Sequence, residues 1–124
     1  DLRVMAEKTL AVFHDMMSQA PGGFGHMLSG LVWLLDGGVE IAVVGPHGDP
    51  DTQALLSTIR EFYLPEKVVA FKDPTRGEDI TDVIPFLADK ALLDGRPTVY
   101  VCRNHVCLRP VTSVDALVSV LKQT

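Results

Sequence analysis

Cysteine is scarce in this sequence: the 124 residues include only two, Cys102 and Cys107. Two cysteines cannot build the multi-disulfide framework that replaces a hydrophobic core in small secreted domains. The sequence also lacks a basic segment followed by a short apolar stretch, which is the pattern of a secretory signal. We therefore expect a cytoplasmic protein that folds around an ordinary hydrophobic core.

Long apolar runs and clusters of basic residues are missing as well. The most apolar stretch, residues 27–44, is interrupted by Asp36, Gly37, Gly38 and Glu40, whereas a membrane-spanning helix needs roughly 18 predominantly apolar residues in a row. The 11 Lys and Arg residues are scattered, and the formal net charge is −5. Because nucleic-acid binding depends on clustered basic side chains, we expect neither a membrane nor a nucleic-acid partner.

The composition that is present is that of a globular domain. Hydrophobic residues make up 47% of the sequence and charged residues 22%. A chain of this length can bury roughly two thirds of the surface that it exposes when unfolded. The composition therefore allows a core that needs no disulfide or metal, and we expect no cofactor.

The first 38 residues predict a pair of apolar helices. Apolar side chains recur at three- and four-residue spacing over residues 2–20, which is typical of a helix. The stretch "APGG" at 20–23 ends this helix, because proline and two glycines do not continue it. A second helix is predicted over 24–36, with Gly37 and Gly38 as its stop. The two should form an antiparallel hairpin, residues 1–38, that is apolar on more than one face.

Residues 39–124 predict an α/β domain. Strands are expected over 40–45, 67–73, 98–102 and 106–111, and helices over 50–62, 79–92 and 114–122. This β-α-β-α-β-β-α order predicts a four-stranded mixed sheet with helices on both faces. The first two strands should be parallel, because a crossover helix joins them, and the last two antiparallel.

The order of these elements is also that of the thioredoxin fold. Proteins of that fold place a cis-proline before a third strand that contains threonine, and Pro97-Thr98 occupies that place. We therefore expect a thioredoxin-like topology, with a flavodoxin-like or other three-layer arrangement as the alternative.

Three segments resemble a known family: "GPHGDPDTQALLSTIREFYLPEKVVAF", "IPFLADK" and "PTVYVCRNHVCLRPVTSVDAL". They are similar to the C-terminal end of the spermatogenesis-associated protein 20 family, also described as highly diverged thioredoxin-domain-containing proteins. The resemblance extends over about residues 24–122. It implies that the chain is a C-terminal fragment, preceded in the family by a thioredoxin-like domain and an (α/α) toroid similar to six-hairpin glycosidases and sugar epimerases.

The resemblance also implies a context for the helical hairpin. Residues 1–38 would be the last helices of the toroid, and its other helices would cover their second apolar face. A redox role has been suggested for animal members of the family, and a carbohydrate-related activity follows only from analogy with the toroid. Fold analogy alone does not establish a function.

The segment "TVYVCRNHVC", residues 98–107, is the first candidate site. Cys102 and Cys107 flank the loop of a predicted hairpin and are near enough in sequence for a disulfide. With His105 they could instead supply part of a zinc site, although a structural zinc ion normally takes four donors. The simplest interpretation is two small apolar residues beside a tight turn, with Asn104 in the left-handed conformation. The Cys-x-x-Cys motif of thioredoxin-type enzymes is absent after the first strand.

A second candidate site lies at the carboxyl ends of the first two strands, where open α/β sheets bind ligands. The ligand-binding candidates there are His47, Asp49, Thr52, Lys72 and Arg76. His47 could act as a general base and Arg76 as an anion anchor. The alternative is that Asp49 caps the following helix and that the other side chains are solvated loop residues.

The function that these observations favour is non-catalytic, and we assign no catalytic residue. The chain would be an accessory domain that packs on the remainder of its parent chain, the helical toroid, or assembles as a homo-oligomer. The alternative is a redox or zinc-supported module that uses the Cys102/Cys107 hairpin.

Overall fold

The structure, a computed structural model, describes residues 1–76, 80–104 and 106–124. The chain divides into two compact units, a helical unit of residues 1–38 and an α/β unit of residues 39–124. Within the described residues, no helix combines the length and the apolar character needed to cross a membrane.

The helical unit contains three α-helices: α1 (Leu2–Val12), α2 (His14–Gln19) and α3 (Gly25–Asp36). The prediction of one continuous helix over 2–20 is wrong, because the chain leaves the helical conformation at Phe13, where φ is −92° and ψ is 3°. The ring of Phe13 lies 6.2 Å from that of Phe24. A short 3-10 helix, Pro21–Gly23, occupies the predicted break.

Two glycines end α3, as predicted. Gly37 caps the helix with a φ of 72°, a conformation that glycine adopts without steric cost. Gly38 is buried under the indole ring of Trp33, since a Cβ at this position would lie 2.0 Å from a ring carbon. The absence of a side chain at Gly38 is therefore what allows the ring to pack against the backbone.

The α/β unit contains a four-stranded mixed sheet, as predicted. The strands are β1 (Val39–Val44), β2 (Lys67–Lys72), β3 (Thr98–Arg103) and β4 (Val106–Cys107), in the spatial order β2-β1-β3-β4. Strand β1 pairs in parallel with β2 and antiparallel with β3, and β3 pairs antiparallel with β4. Helix α4 (Pro50–Glu61) connects β1 to β2, and α5 (Val114–Leu121) follows the hairpin.

The predicted helix over 79–92 is wrong for the part of it that the structure describes, residues 80–92. Two 3-10 helices, Ile80–Asp82 and Pro85–Leu87, stand there instead. Pro85 lacks the N–H that a continuous helix would use, and the β-branched residues around it favour helices less. Helices lie on both faces of the sheet, as predicted, but those on the second face are 3-10 helices.

The two faces of the sheet have separate cores. On one face, α4 and α5 contact each other and pack on the sheet; the buried residues of this cluster are Val39, Ile41, Val43, Leu55, Leu56, Ile59, Val99, Val101, Leu117 and Leu121. The other face carries a smaller cluster of Ala42, Ala70 and Leu87, against which side chains of the 3-10 segments pack. The larger core thus lies under the two α-helices.

The last strand differs from expectation, and the structure gives the isomer of the proline before β3. Strand β4 ends at Cys107 rather than at residue 111, and Val111 returns to β3 only as an isolated bridge with Val99. The intervening Pro110 cannot donate a ladder hydrogen bond. No peptide bond among the described residues is cis, so the bond before Pro97 is trans.

The contact between Gly38 and Trp33 yields a testable prediction. Replacing Gly38→Ala should displace the indole ring and lower the free energy of unfolding by about 1–3 kcal/mol, because an added methyl group overpacks the site. The chain has a single tryptophan, so its fluorescence emission should shift to longer wavelength.

The matched control for this substitution is Gly30→Ala, in the middle of α3. A Cβ at Gly30 meets no atom within 4 Å, so this variant should keep the native emission and gain about 0.5–1 kcal/mol from the better helix former. An unchanged emission spectrum in the Gly38→Ala variant would contradict the packing described above.

Candidate functional site

Cys102 and Cys107 face each other across the β3–β4 hairpin. They are paired in the strand register with their Cα atoms 3.9 Å apart, and their sulfurs form a disulfide. Asn104, in the turn, adopts a φ of 50°, which confirms the left-handed conformation expected of it. His105, the third predicted donor, lies outside the described residues.

The two cysteines differ in their access to solvent. Cys102 sits inside the sheet, between Glu40 of β1 and Cys107 of β4, and is 1% exposed. Cys107 lies on the edge strand and is exposed. The disulfide therefore joins a buried cysteine to an exposed one.

Few backbone hydrogen bonds hold β4 to β3. The strand has two residues, and beyond it the amide of Leu108 donates to the carbonyl of Val101 at 2.9 Å. Val99 and Val111 then exchange two hydrogen bonds of 2.8 and 3.0 Å. The disulfide thus links β3 and β4 covalently where few backbone hydrogen bonds join them.

A groove of about 560 Å³ runs beside the hairpin. Its lining combines apolar side chains of the hairpin with polar residues near the end of the chain: Val101, Cys102, Arg103, Asn104, Val106, Leu108, Gln123 and Thr124. Arg103 closes one side, since its guanidinium donates to the backbone carbonyl of Thr124 at 3.2 Å. The guanidinium also lies 3.9 Å from the carboxylate of Glu66.

The described residues do not form a metal site. In residues 1–76, 80–104 and 106–124, no group of three or more His, Cys, Asp or Glu side chains is placed to hold an ion. Zinc binds cysteine as the thiolate, and the two sulfurs here are bonded to each other. The hairpin in this state can therefore take part in thiol–disulfide exchange but does not offer thiolate ligands.

At the strand ends, Asp73 organises the loops, a role that the sequence did not predict for this residue. Its carboxylate, with the side chain 7% exposed, accepts hydrogen bonds from the amide of His47 at 3.0 Å and the amide of Thr75 at 2.9 Å. The hydroxyl of Thr75 donates to it at 2.6 Å, and Arg76 lies 3.8 Å away. The only signal in the sequence is local: an aspartate after a strand and two residues before a threonine is typical of an Asx-turn.

These contacts shift the titration of Asp73. The hydrogen bond from the Thr75 hydroxyl, followed by the one from its amide, lowers the pKa of the Asp73 carboxyl below its usual value, and Arg76 contributes a smaller effect in the same direction. His47 and Arg76, two predicted ligand-binding residues, therefore meet at a carboxylate that joins the β1 and β2 loops.

Asp49 and Thr52 serve the start of α4. The carboxylate of Asp49 accepts from the amides of Asp51 at 2.8 Å and Thr52 at 3.0 Å, which is the capping role expected of it. Thr52 is fully buried against the backbone of Gly45, where a Cβ would lie 2.4 Å from its hydroxyl oxygen. The same Cβ would lie 3.1 Å from Pro97. The space between the end of β1 and α4 is therefore filled by the protein itself.

Lys72 contacts backbone carbonyls rather than the other predicted ligand-binding residues. Its ammonium donates to the backbone carbonyls of Leu87 at 3.2 Å and Lys90 at 3.1 Å, and so holds the second 3-10 segment on the sheet. Lys90 is buried between two rings, with its nitrogen 5.3 Å from the centre of Phe86 and 5.4 Å from that of Tyr100. Lys72 is not directed toward His47 or Arg76, and the five predicted residues do not converge on one pocket.

Comparison with known proteins shows what the chain is similar to. Spermatogenesis-associated protein 20 from rat is 28% identical to it over 114 residues, or 92% of the chain, and the mouse protein gives the same values. The human protein is 28% identical over 103 residues, or 83% of the chain. The resemblance to the spermatogenesis-associated protein 20 family is confirmed.

The similarity covers a small part of each relative. The chain spans 14% of the rat and mouse spermatogenesis-associated protein 20 and 13% of the human protein. No protein-family model matches the chain, and no solved structure matches it. The relatives thus show a family resemblance that covers a small part of their own length, and they carry no residue role.

The low pKa of Asp73 yields a prediction about pH. A carboxyl whose pKa is lower in the folded than in the unfolded state stabilises the fold above the unfolded value of 3.8, and this stabilisation is lost as the pH falls through the folded pKa. In urea denaturation, Asp73→Asn should be less stable than the wild type at pH 6. The difference should shrink as the pH falls below 3.8.

Asp94→Asn is the matched control, because Asp94 is an exposed carboxylate in a turn with a φ of 52°, which asparagine also tolerates. This variant should follow the wild type at both pH values. If Asp73→Asn did the same, the carboxylate would not be the link between the loops.

Proposed function

We propose that the chain is a non-catalytic accessory segment that packs on the remainder of a longer parent protein. The observation that carries this proposal is the surface of the helical unit. Residues 1–38, all of which the structure describes, contribute a single side chain, Met17, to the buried apolar residues. By contrast, Leu2 is 84%, Val12 76% and Leu35 72% exposed.

The exposed apolar side chains of the helical unit are too numerous for an ordinary surface. They are Leu2, Val4, Met5, Val12, Met16, Val32 and Leu35. Full burial of one such side chain is worth roughly 1.5–3 kcal/mol relative to leaving it in water. A helix that is apolar on more than one side is normally enclosed by other elements of a larger protein. The helical unit therefore has a strong tendency to bind a further apolar surface.

The occupant that we propose for this surface is the remainder of the parent chain. The relatives are about seven times as long as the matched segment, since the chain spans 14% of the rat protein. Further helices of a helical toroid would supply apolar side chains of the required kind, and they would be tethered in the same polypeptide. A second copy of this chain is the competing occupant, and the experiment below separates the two.

For the α/β unit we propose a thioredoxin-like topology without thioredoxin chemistry. The strand order β2-β1-β3-β4, with β3 antiparallel to its neighbours and α4 and α5 on one face, supports this topology. The loop between β1 and α4, where a thioredoxin carries its cysteines, is Gly45–Asp49 and contains none. Thr52 and Pro97 also lie close to Gly45, the first residue of this loop. A structural role for the unit follows.

Charge substitutions on the helical unit test the packing proposal. Val12→Glu and Leu35→Glu should each weaken binding of the chain to the separately expressed remainder of the parent protein by tenfold or more, because a carboxylate would be buried without a partner. Binding is measured by isothermal titration calorimetry, and the mass of the complex by sedimentation.

The matched control is Tyr63→Glu, since Tyr63 is 86% exposed but belongs to the α/β unit. It should bind as the wild type does. A wild-type chain that stays monomeric at high concentration and does not bind the remainder would refute the proposal. Self-association that the remainder does not displace would instead identify a second copy as the occupant.

The disulfide favours a second function, a redox-responsive hairpin. We place the protein in the cytoplasm as part of this proposal. Disulfides in that compartment are usually transient and redox-sensing rather than structural. The exposure of Cys107 gives the bond the access that such a role needs. Cys102 and Cys107 would then report the redox state of their surroundings through the edge of the sheet.

This second function is tested by equilibrating the chain in glutathione buffers of graded redox potential. After acid quenching, the fraction of oxidised chain is measured by intact mass spectrometry, because the oxidised chain has two hydrogens fewer than the reduced chain. We expect a reversible transition within the range of potentials found in cells. A bond that stays fully oxidised, or fully reduced, in every buffer of that range would rule out a redox response.

A further inference from the structure

The unequal exposure of the two sulfurs determines which of them can react. Thiol–disulfide exchange begins when a thiolate attacks one of the two sulfur atoms, and access is one of the factors that decide which. Cys102 is 1% exposed and lies within the sheet, whereas Cys107 is exposed on the edge strand. An external thiolate therefore approaches the bond from the side of Cys107, the exposed residue, rather than from that of Cys102.

The position of Cys102 determines what kind of reductant can complete the reaction. After attack on Cys107, the thiol of Cys102 remains directly opposite in the strand register, with its Cα atom 3.9 Å from that of Cys107. A group held so close has a high effective concentration, so it readily attacks back and expels the incoming thiol. A reductant with one thiol is expelled repeatedly, whereas one with two thiols can resolve the mixed disulfide itself.

The surroundings of Cys107 fit a protein as the reductant. Its neighbours Val106 and Leu108 are 71% and 47% exposed, and all three lie on or next to the edge strand β4. An extended segment on the edge of a sheet, with apolar side chains in reach of solvent, can be bound by a partner's backbone and apolar surface. A small thiol would make no use of these contacts.

We propose that the Cys102–Cys107 disulfide is the substrate of a protein dithiol reductant whose thiolate attacks the sulfur of Cys107. This inference rests on the second proposed function, the redox-responsive hairpin. In the first step a bond forms between the reductant's sulfur and Cys107, the disulfide breaks, and Cys102 leaves as a thiolate that takes a proton from solvent.

In the second step the reductant's second thiolate attacks the reductant's first sulfur, which is bonded to Cys107 in the mixed disulfide. Cys107 then leaves as a thiolate and is protonated. The hairpin disulfide gains two electrons and two protons, and the reductant's dithiol becomes a disulfide. The reaction needs no further oxidant or reductant.

The first experiment traps the intermediate. The oxidised chain is mixed with an excess of a thioredoxin in which the second, resolving cysteine is replaced by serine. The reaction is quenched with acid after short times, before Cys102 can expel the thioredoxin, and the mixed disulfide is mapped by peptide mass spectrometry. We expect the adduct on Cys107. In the reduced chain, Cys107 should also alkylate with iodoacetamide at least tenfold faster than Cys102, because Cys107 is the exposed residue of the pair.

Single-cysteine variants are the controls for accessibility. Cys102→Ala leaves the exposed thiol and should alkylate rapidly, whereas Cys107→Ala leaves the buried thiol and should alkylate at least tenfold more slowly. Equal rates in the two variants would show that the hairpin gives both sulfurs the same access and would overturn the assignment.

The second experiment compares reductants at equal total thiol concentration and equal pH. Wild-type thioredoxin, recycled enzymatically, should reduce the hairpin at least tenfold faster than glutathione. An adduct mapped to Cys102 would overturn the choice of sulfur, and equal rates would overturn the choice of a dithiol protein. A disulfide that no reductant opens in the folded chain would overturn both this inference and the redox-responsive hairpin, while the packing proposal would be unaffected.

Discussion

The pairing of β1 on both of its edges is the constraint on which the rest of the α/β unit depends. This strand is hydrogen-bonded to β2 on one side and to β3 on the other, and its apolar residues are at most 1% exposed. Ile41 and its neighbours at alternate positions face α4 and α5, while Ala42 faces the 3-10 segments. Because side chains alternate along a strand, a slip of one residue would exchange the two faces, and the register is therefore fixed by burial.

This central strand explains why the predicted ligand-binding residues are used for structure. The backbone groups of the loops that leave β1 and β2 at the same edge of the sheet need hydrogen-bond partners. The carboxylate of Asp73 accepts from the amide of His47, and that of Asp49 accepts from an amide at the start of α4. Lys72 similarly satisfies two carbonyls of a segment that is too irregular to satisfy its own. Polar side chains at strand ends have this role as readily as that of binding a ligand, and Thr52 is buried against the backbone of Gly45.

The sequence predicted the elements whose signals are local. Asp49 caps α4, Gly37 stops α3, and the apolar run of β1 is a buried strand. The prediction of a helix over 79–92 failed, because the apolar side chains of residues 80–92 belong to two short 3-10 segments that pack on Ala42 and Ala70. Pro85 begins the second of these segments. Sequence spacing alone could not decide the state of the cysteines, since their pairing depends on the register between β3 and β4. The role of Asp73 was hidden for a similar reason: its partner His47 lies 26 residues away.

The two units differ in where their stability comes from, and this difference separates the two proposed functions. The α/β unit buries a continuous core of ten apolar residues under its helices, so its fold and its hairpin rest on contacts within residues 39–124. The helical unit buries only Met17 among its apolar side chains and exposes seven large ones, which is the surface that the packing proposal uses. Exchange at Cys107 requires only an exposed sulfur on the edge of a stable sheet. Loss of packing at the helical unit should therefore leave the chemistry of the hairpin intact, and reduction of the hairpin should leave the larger core of the sheet in place.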